Sequence, residues 1–314
     1  MSLRDFITQV RKVISAYGVR VGFRVAVQRA WERVLIRIGQ KINYGERPLG
    51  SDWDVLVVLD ACRADLFHEF APRHPISDRF DSVTSKYSCA STSREWFEKG
   101  FSSLSDDEIS EIHYVTENPY LSELDTDRFY QVEKLWELSP QTETGYLDSS
   151  TVTDLALRAY NESGADRFVV HYIPPHAPFQ HCVDKYSIAD KPWGGDSQDV
   201  WYGLQTGLFE LDDVWNDYGK HLLGVLDEVE RLVSHVNGKV IITADHGNAL
   251  GEFGIYGHPD YVPIPDLKRV PWVDLQGQGI PYNPEELERR HYDEERTTNE
   301  NDSVEKQLEA LGYK

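Results

Sequence analysis

Three apolar runs in this sequence of 314 residues end in side chains that can bind a metal ion or move a proton. Asp60 follows the first run, and His176 lies shortly after the second. Asp245 and His246 follow the third. A strand buried on both faces of an α/β sheet has no local reason to end in such groups, whereas these sheets carry their chemistry at the carboxyl ends of their strands. The alternative for Asp245-His246-Gly247 is an Asp-Gly type of turn with a solvated histidine.

The donor set of Asp60, Asp245 and His246 suits a divalent cation of hard to borderline character, which covers Mn²⁺, Mg²⁺, Ca²⁺ and Zn²⁺. Such a cation would take a hydroxyl oxygen as a further ligand, deprotonate it and direct it at an electrophile. A phosphorus or sulfur ester suits this arrangement, because the cation also neutralises charge on the ester oxygens. His176 and His258 are then predicted to donate to the non-bridging oxygens or to protonate the leaving group.

The hydroxyl is expected from a segment rich in Ser and Thr, residues 88–93, which precedes a predicted helix. These side chains suit helix N-caps, with Glu95 as the capping-box partner. They also suit a nucleophile whose product anion is met by the helix N-terminus. The two interpretations are compatible.

Alternating strand and helix patterns predict a doubly wound, mostly parallel sheet between helices. The predicted strands are 55–59, 112–116, 168–172, 240–244 and 270–273. The predicted helices of this part of the chain are 61–70, 151–161 and 218–236. The run at 55–59 is apolar throughout, which is typical of a strand covered on both faces. In such a sheet the strands that begin at 55, 168 and 240 end at one edge, which would bring their terminal side chains together.

The chain is predicted to comprise a basic N-terminal helical segment (1–48), a catalytic domain (49–281) and a charged helical tail (282–314) that covers the domain. Six apolar residues of the first segment recur at helical spacing: Val27, Trp31, Val34, Leu35, Ile38 and Ile42. Arginines occupy another face of this helix. One interpretation is an amphipathic helix, within residues 1–44, that lies on an anionic membrane surface. The other is a helix that packs its apolar stripe on the body of the protein, with its arginines paired to the acidic surface.

Composition limits the partners of the protein. Its 53 acidic and 32 basic residues give a net charge of −21, which argues against nucleic-acid binding because a polyanion would be repelled. An acidic, lysine-poor surface predicts a halophilic source, with ordinary acidic solubility as the alternative. The three cysteines form no CxxC pair, which predicts reduced cytoplasmic thiols. With no apolar run of membrane-spanning length and no secretory signal, we expect a cytoplasmic protein, or one peripheral at a membrane.

Four motifs follow one another along the chain: Val-Leu-Asp60-Ala-Cys-Arg63-Ala-Asp65, the Ser/Thr segment, Pro-His176-Ala-Pro, and Thr-Ala-Asp245-His246-Gly-Asn-Ala-Leu-Gly-Glu252. Together with Tyr-Gly-His258-Pro, they resemble the alkaline phosphatase/sulfatase superfamily, in its archaeal sulfatase-like branch, over about residues 50–314. The resemblance implies a three-layer α/β/α fold. It also implies a metal-dependent hydrolase or phospho-group transferase that acts on phosphate or sulfate esters, either small molecules or esters linked to a glycan or lipid. Ser91 or Thr92 would be the nucleophile, and Arg63 and Arg94 would bind substrate.

Two departures separate the sequence from sulfatases proper. Ala61 stands where sulfatases carry a second aspartate, which moves the pattern towards the phosphatase, phosphoethanolamine transferase and lipoteichoic acid synthase branches. Cys89 lies five residues before Arg94 with no proline between them, unlike the Cys-x-Pro-x-Arg motif whose cysteine becomes formylglycine. The alternatives to the main interpretation are a sulfatase proper and a non-catalytic relative that binds a glycan, a lipid head group or a protein partner.

Overall fold

A seven-stranded sheet lies at the centre of the computed structural model, which describes residues 3–42, 44–138, 146–188 and 199–282. The strands are β1 (Val55–Leu59), β2 (Ser82–Tyr87), β3 (Ile112–Thr116), β4 (Gln131–Lys134), β5 (Arg167–Tyr172), β6 (Lys239–Thr243), β7 (Ala249–Leu250), β8 (Tyr256–Gly257) and β9 (Arg269–Gln276). The order across the sheet is β2-β9-β6-β1-β5-β3-β4, and β7 pairs with β8 in a separate hairpin. Five neighbouring strands pair in parallel, namely β6, β1, β5, β3 and β4. In contrast, β9 is antiparallel to both of its neighbours, β2 and β6. The prediction of a mostly parallel sheet is confirmed.

Helices cover both faces of the sheet. In the described ranges they are α1 (Leu3–Gly39), α2 (Ala64–Phe70), α3 (Ser93–Phe101), α4 (Asp106–Ser110), α5 (Ser149–Glu162), α6 (Asp199–Thr206), α7 (Leu211–His235) and α8 (Pro265–Lys268). Apolar residues of α2, α5 and α7 pack with one face of the sheet, and those of α3 pack with the other. The predicted three-layer α/β/α architecture is therefore confirmed.

The packing of β1 explains its continuous apolar sequence. Val55, Val57 and Leu59 belong to the apolar cluster that contains α2, α5 and α7. Leu56 and Val58 belong to the cluster that contains α3. Because alternate residues of a strand point to opposite faces, a strand covered on both sides needs an apolar residue at every position.

Three helices differ from their predicted bounds. α5 spans Ser149–Glu162 where the sequence predicts 151–161, and the other two begin at clearly different residues. α2 begins at Ala64 rather than at residue 61, because Ala61 adopts a left-handed φ of 57° and Arg63 is extended, so the chain turns before the helix starts. α7 begins at Leu211 rather than at residue 218, because Val214 is buried and extends the apolar stripe by one more turn.

Parallel pairing aligns the strand ends that the sequence singled out. β1 lies between β5 and β6, and Val58 is level with His171 on one side and Thr243 on the other. The residues that directly follow β1 and β6, Asp60 and Asp245 among them, therefore leave the sheet at the same edge.

The N-terminal helix is attached to the rest of the structure by its inner face. Val25 of α1 packs with Tyr202 of α6, and Leu35 packs among apolar residues of the segment 249–267. In the described ranges, no helix combines the length and the apolar character that a membrane crossing requires. Of the predicted tail, residues 283–314 lie outside the described residues, and the three-segment division stays a prediction.

Candidate metal centre

Two fully buried carboxylates converge at the carboxyl edge of the sheet. Asp245 Oδ1 accepts the backbone N–H of Ala61 at 3.0 Å and that of His246 at 2.8 Å, whereas its Oδ2 has no hydrogen-bond partner among the described residues. Asp60 Oδ2 accepts hydrogen bonds from Ser93 Oγ at 3.1 Å and from Asn118 Nδ2 at 3.0 Å. Burial raises the pKa of Asp245. The nearby His246 and His171, together with the hydrogen bonds that Asp245 itself accepts, lower this pKa below its usual range. Asp245 is therefore ionised at neutral pH.

Two imidazoles face the carboxylates. His246 Nε2 lies 3.4 Å from Asp60 Oδ1 and 3.5 Å from Asp245 Oδ2. Its Nδ1 lies 2.6 Å from the carbonyl oxygen of Gly247, which can only accept, so Nδ1 is assigned the proton. His171 Nε2 lies 3.7 Å from Asp60 Oδ2 and 3.8 Å from Asp245 Oδ2, with no hydrogen-bond partner in the described part of the chain. Burial lowers the pKa of His171 to about 4, so this ring is neutral at neutral pH.

These residues fit a divalent cation. The ligand atoms of Asp60, His171 and Asp245 all lie within 4.8 Å of one another, and all three residues are buried. A buried carboxylate oxygen and a buried imidazole nitrogen that lack hydrogen bonds are costly unless a cation compensates them. Two carboxylates and two imidazoles supply both the negative charge and the mixed oxygen and nitrogen donors that borderline divalent metals prefer.

The hydroxyl group at this centre belongs to Ser93, the first residue of α3. Its Oγ lies 3.1 Å from Asp60 Oδ2 and 3.4 Å from His246 Nε2. The two predicted nucleophiles are engaged elsewhere. Ser91 Oγ donates to Glu95 Oε2 at 2.7 Å, and Thr92 Oγ1 donates to Asp260 Oδ1 at 2.8 Å. The assignment of the nucleophile to Ser91 or Thr92 stays a prediction, and the geometry favours Ser93.

Thr92 is the N-cap of α3, and Glu95 is its capping-box partner in part. Thr92 Oγ1 accepts the backbone N–H of Glu95 at 3.3 Å, as a capping box requires. The reciprocal bond is displaced by one residue, because Glu95 Oε2 accepts the N–H of Ser91. These bonds fix the start of the helix and thereby the direction of Ser93.

His176 and His258 extend the centre as a row of imidazoles. Their Nε2 atoms lie 3.0 Å apart, and the ring of His258 lies 4.8 Å from that of His246, centroid to centroid. Burial and the nearby His246 lower the pKa of His176 to about 3 and hold that of His258 well below its usual range. Neutral rings of this kind suit hydrogen bonding to ester oxygens better than proton donation to a leaving group. The substrate-binding roles of both residues stay predictions.

The two predicted substrate-binding arginines have carboxylate partners within the protein. The Arg63 guanidinium pairs with Asp65, Glu252 and Asp266 at 2.6, 2.7 and 3.4 Å. It therefore links α2 to the loops that follow β6. Arg94 is half-exposed and pairs with Glu123 on the surface at 3.0 Å. Neither pairing tests the predicted role.

Cys89 lies in an apolar environment. Its side chain is 1% exposed and belongs to the cluster that contains Leu49 and Trp96. Burial raises the pKa of its thiol to about 11, so the thiolate is scarcely populated at neutral pH.

Asn118 and Ser93 were missed in the sequence interpretation, which gives a structural role for His171 at least the same weight as a functional one. Asn118 follows β3 almost directly, as Asp60 follows β1, so the strand-end criterion would have selected it. His171 is a histidine inside an otherwise apolar strand, and such a residue needs a partner when buried. Ser93 had no signal of its own, because it is one of several adjacent hydroxyls.

A second group of potential ligands, His181, Cys182 and Asp217, is less suited to a cation. Asp217 accepts hydrogen bonds from Lys185 at 2.6 Å, Lys220 at 2.9 Å and the Tyr186 hydroxyl at 2.8 Å. Burial raises the pKa of Asp217, but the three donors lower it by more, so the net effect is a lowered pKa. Two ammonium groups already neutralise this carboxylate, unlike those of the strand-end centre.

Glu117, the residue that directly follows β3, predicts a pH-dependent stability. It is buried and accepts the N–H of Leu147, and burial raises its pKa from 4.5 to about 8. The folded protein keeps this proton up to about pH 8, whereas the unfolded chain releases it near pH 4.5, so stability falls as pH rises between these values. We expect Glu117→Gln, which keeps the accepting oxygen, to gain about 4 kcal/mol over wild type between pH 4 and pH 8. Urea unfolding at both pH values measures this gain, and the exposed Glu162→Gln is the control. Parallel stability curves for wild type and Glu117→Gln would contradict the prediction.

Comparison with known proteins relates the fold to solved structures. No protein-family model matches the sequence, and no curated protein is significantly similar to it. Lipooligosaccharide phosphoethanolamine transferase A from Neisseria meningitidis, an integral membrane protein, is similar at 16% identity and a TM-score of 0.50. The match covers 81% of this chain and 54% of the transferase. The soluble domain of that transferase matches at 15% identity and a TM-score of 0.49, over 85% of this chain and 90% of the domain. An alkaline phosphatase superfamily protein from Vibrio parahaemolyticus matches at 12% identity and a TM-score of 0.39, over 88% of this chain and 74% of that one. The match to the full-length transferase, at a TM-score of 0.50 and 16% identity, concerns the fold alone.

Proposed function

We propose that this protein is a metal-dependent hydrolase or phospho-group transferase that acts on phosphate esters with Ser93 as its nucleophile. The observation that carries the proposal is the position of the Ser93 hydroxyl, 3.1 Å from Asp60 Oδ2 and 3.4 Å from His246 Nε2. A hydroxyl group at the edge of a buried set of metal-binding side chains is suited to activation as a nucleophile. The fold is compatible with this chemistry but does not by itself imply it.

In the proposed reaction, Ser93 Oγ forms a bond to the phosphorus as the bond to the leaving oxygen breaks. Asp60 Oδ2, which accepts the hydrogen bond of this hydroxyl, takes its proton. The leaving alkoxide takes a proton from water, and the phosphoserine is then attacked by water or an acceptor alcohol, whose proton neutralises the hydroxide so formed. As the bond between phosphorus and Ser93 Oγ breaks, Asp60 returns its proton to this oxygen, which restores the Ser93 hydroxyl. The N-terminus of α3 stabilises the negative charge that develops at its first residue. The His176–His258 pair, whose Nε2 atoms lie within hydrogen-bond distance of each other, would donate one hydrogen bond to an ester oxygen.

The proposed cation would be held by Asp60, Asp245, His246 and His171. It would supply a Lewis acid that lowers the pKa of the attacking hydroxyl and neutralises charge on the ester. Two imidazole donors favour Zn²⁺ or Mn²⁺ over Ca²⁺ and Mg²⁺, which prefer oxygen ligands.

A panel of aryl phosphate monoesters, aryl phosphate diesters and aryl sulfates tests this function. The protein is first treated with a chelator and then reloaded with Zn²⁺, Mn²⁺, Mg²⁺ or Ca²⁺, with the bound metal measured in each case. We expect turnover of phosphate esters with Zn²⁺ or Mn²⁺. Chelation should lower the turnover rate by about 100-fold or more. If protein with a full complement of metal turns over none of these esters, the non-catalytic alternative is favoured. If it turns over only the sulfates, it is a sulfatase.

A further inference from the structure

The outer face of α1 carries apolar side chains that no other part of the described structure covers. We name the set the outer stripe: Val19, Phe23, Val27, Trp31, Val34, Ile38 and Ile42, of which the last lies just beyond the end of the helix. Its members are 39% to 69% exposed. Spacings of three and four residues place them on one face of the helix. Of the six apolar residues that marked this helix in the sequence, five are in the outer stripe and only Leu35 is buried. The packing interpretation is therefore wrong for those five residues.

Exposed cations border the outer stripe. Arg20 flanks its first half, and Arg37 and Lys41 flank its second half, whereas the Arg24 guanidinium donates to the backbone carbonyl of Gln205 at 3.0 Å. The described segment 3–42 contains nine basic and two acidic residues, in a chain whose net charge is −21. The exposed apolar face is thus combined with a local charge opposite to that of the whole molecule.

We propose that the outer stripe of α1 docks on an anionic membrane surface, with the helix in the plane of the interface. An apolar face with cations at its borders and no membrane-spanning hydrophobicity is the pattern of helices that lie at the boundary of head groups and acyl chains. The apolar side chains enter this boundary, and the three bordering cations Arg20, Arg37 and Lys41 meet acidic head groups. A second copy of the chain is a poorer occupant, because a symmetric contact would set these cations against one another.

The attachment of α1 relates this surface to the metal centre. Leu35 packs with Ile255, Ile264 and other apolar residues of the segment that also carries His258. The contact is close, because a Cβ added at Gly39 would lie 1.6 Å from the carbonyl oxygen of Tyr261. A membrane-docked α1 therefore holds the loop of His258 near the head groups, which suits a phosphate ester of a lipid head group as substrate. This substrate class rests on the proposed function, whereas the docking itself does not.

Sedimentation of the full-length protein with vesicles tests the docking. The vesicles contain phosphatidylcholine alone or with phosphatidylglycerol. The apolar contribution is removed in the double variant Phe23→Glu/Trp31→Glu, with Val83→Glu/Leu138→Glu as a control of equal charge change at exposed apolar positions. The ionic contribution is removed in Arg20→Gln/Arg37→Gln/Lys41→Gln, with the surface variant Arg73→Gln/Arg128→Gln/Arg158→Gln as its control.

We expect wild type to bind the anionic vesicles and not phosphatidylcholine alone. The outer-stripe variant should bind at least about tenfold more weakly than its control. The cation variant should bind about 100-fold more weakly, since each basic residue contributes about fivefold. Turnover of soluble aryl esters should be unchanged in both variants, so that failure of docking and failure of the proposed function are separable. Equal binding by variants and controls, or equal binding to both vesicle types, would overturn the proposal. So would a wild-type dimer that ignores vesicles and becomes monomeric in Phe23→Glu/Trp31→Glu.

Discussion

Replacing Ser93 with alanine is expected to lower kcat for aryl phosphate esters by about 10³-fold or more. The change removes the hydroxyl that lies against Asp60 and His246. It leaves Asp60, Asp245 and the two facing imidazoles in place, so the protein should keep most of its bound metal. The measurement is steady-state turnover together with the metal content of the same sample. Loss of both activity and metal would assign Ser93 to metal binding and not to nucleophilic attack.

The neighbouring hydroxyls provide the controls for Ser93. Ser91→Ala removes a hydrogen bond to Glu95 and should leave kcat within about tenfold of wild type. Thr92→Ala removes the N-cap of α3 and should cost about 1 kcal/mol of stability while activity persists. If Ser91→Ala or Thr92→Ala abolishes turnover and Ser93→Ala does not, the sequence-based choice of nucleophile is right and the proposal for Ser93 is wrong. Mass spectrometry of a phosphorylated peptide trapped during turnover would identify the serine directly.

Asp245→Asn is expected to weaken binding of Zn²⁺ or Mn²⁺ by about 10³-fold, beyond the 10–100-fold that loss of an outer supporting group costs. The asparagine amide oxygen still accepts the N–H groups of Ala61 and His246, as Oδ1 does. An uncharged NH₂ group replaces Oδ2, the oxygen proposed to bind the metal. In wild type, a metal concentration of 100 times Kd should add about 2.7 kcal/mol to the free energy of unfolding. The variant should lose this gain at the same concentration. Metal analysis and thermal unfolding with and without metal measure both effects.

Asp65→Asn is the matched control for Asp245→Asn. Asp65 also follows β1 closely, but its carboxylate pairs with Arg63 and lies outside the group of potential ligands. Its substitution should leave metal affinity unchanged. If the two variants bind metal equally well, the strand-end carboxylates do not form the metal site, and the proposed function loses its basis.

The sequence was sufficient to locate the edge at which the site lies. The apolar run of β1 indicates a strand covered on both faces, and such strands align their carboxyl ends in a parallel sheet. For this reason the sequence predicts that Asp60, Asp245 and His246 lie close together. The physical cause is that strand burial and parallel pairing depend on short-range apolar patterns, which a single sequence displays.

The sequence could not choose the hydroxyl. Side chains of adjacent residues point in different directions, so among Ser91, Thr92 and Ser93 only one faces a given point. Which one depends on where the helix begins. Here Thr92 is the N-cap, held by Glu95 and by Asp260, a residue far away in the chain. A shift of the cap by one position would present a different side chain to the carboxylates.

The sequence by itself thus determined the α/β sheet and the carboxylates at its edge. The tertiary structure alone decided which serine meets them, that His171 joins them, and which apolar face of α1 stays outside. Val25 and Leu35 are buried by contacts with distant segments, whereas Phe23 and Trp31 on the same helix are not. Helical periodicity identifies the apolar face of a helix. Whether that face is buried depends on contacts with segments that are distant in sequence.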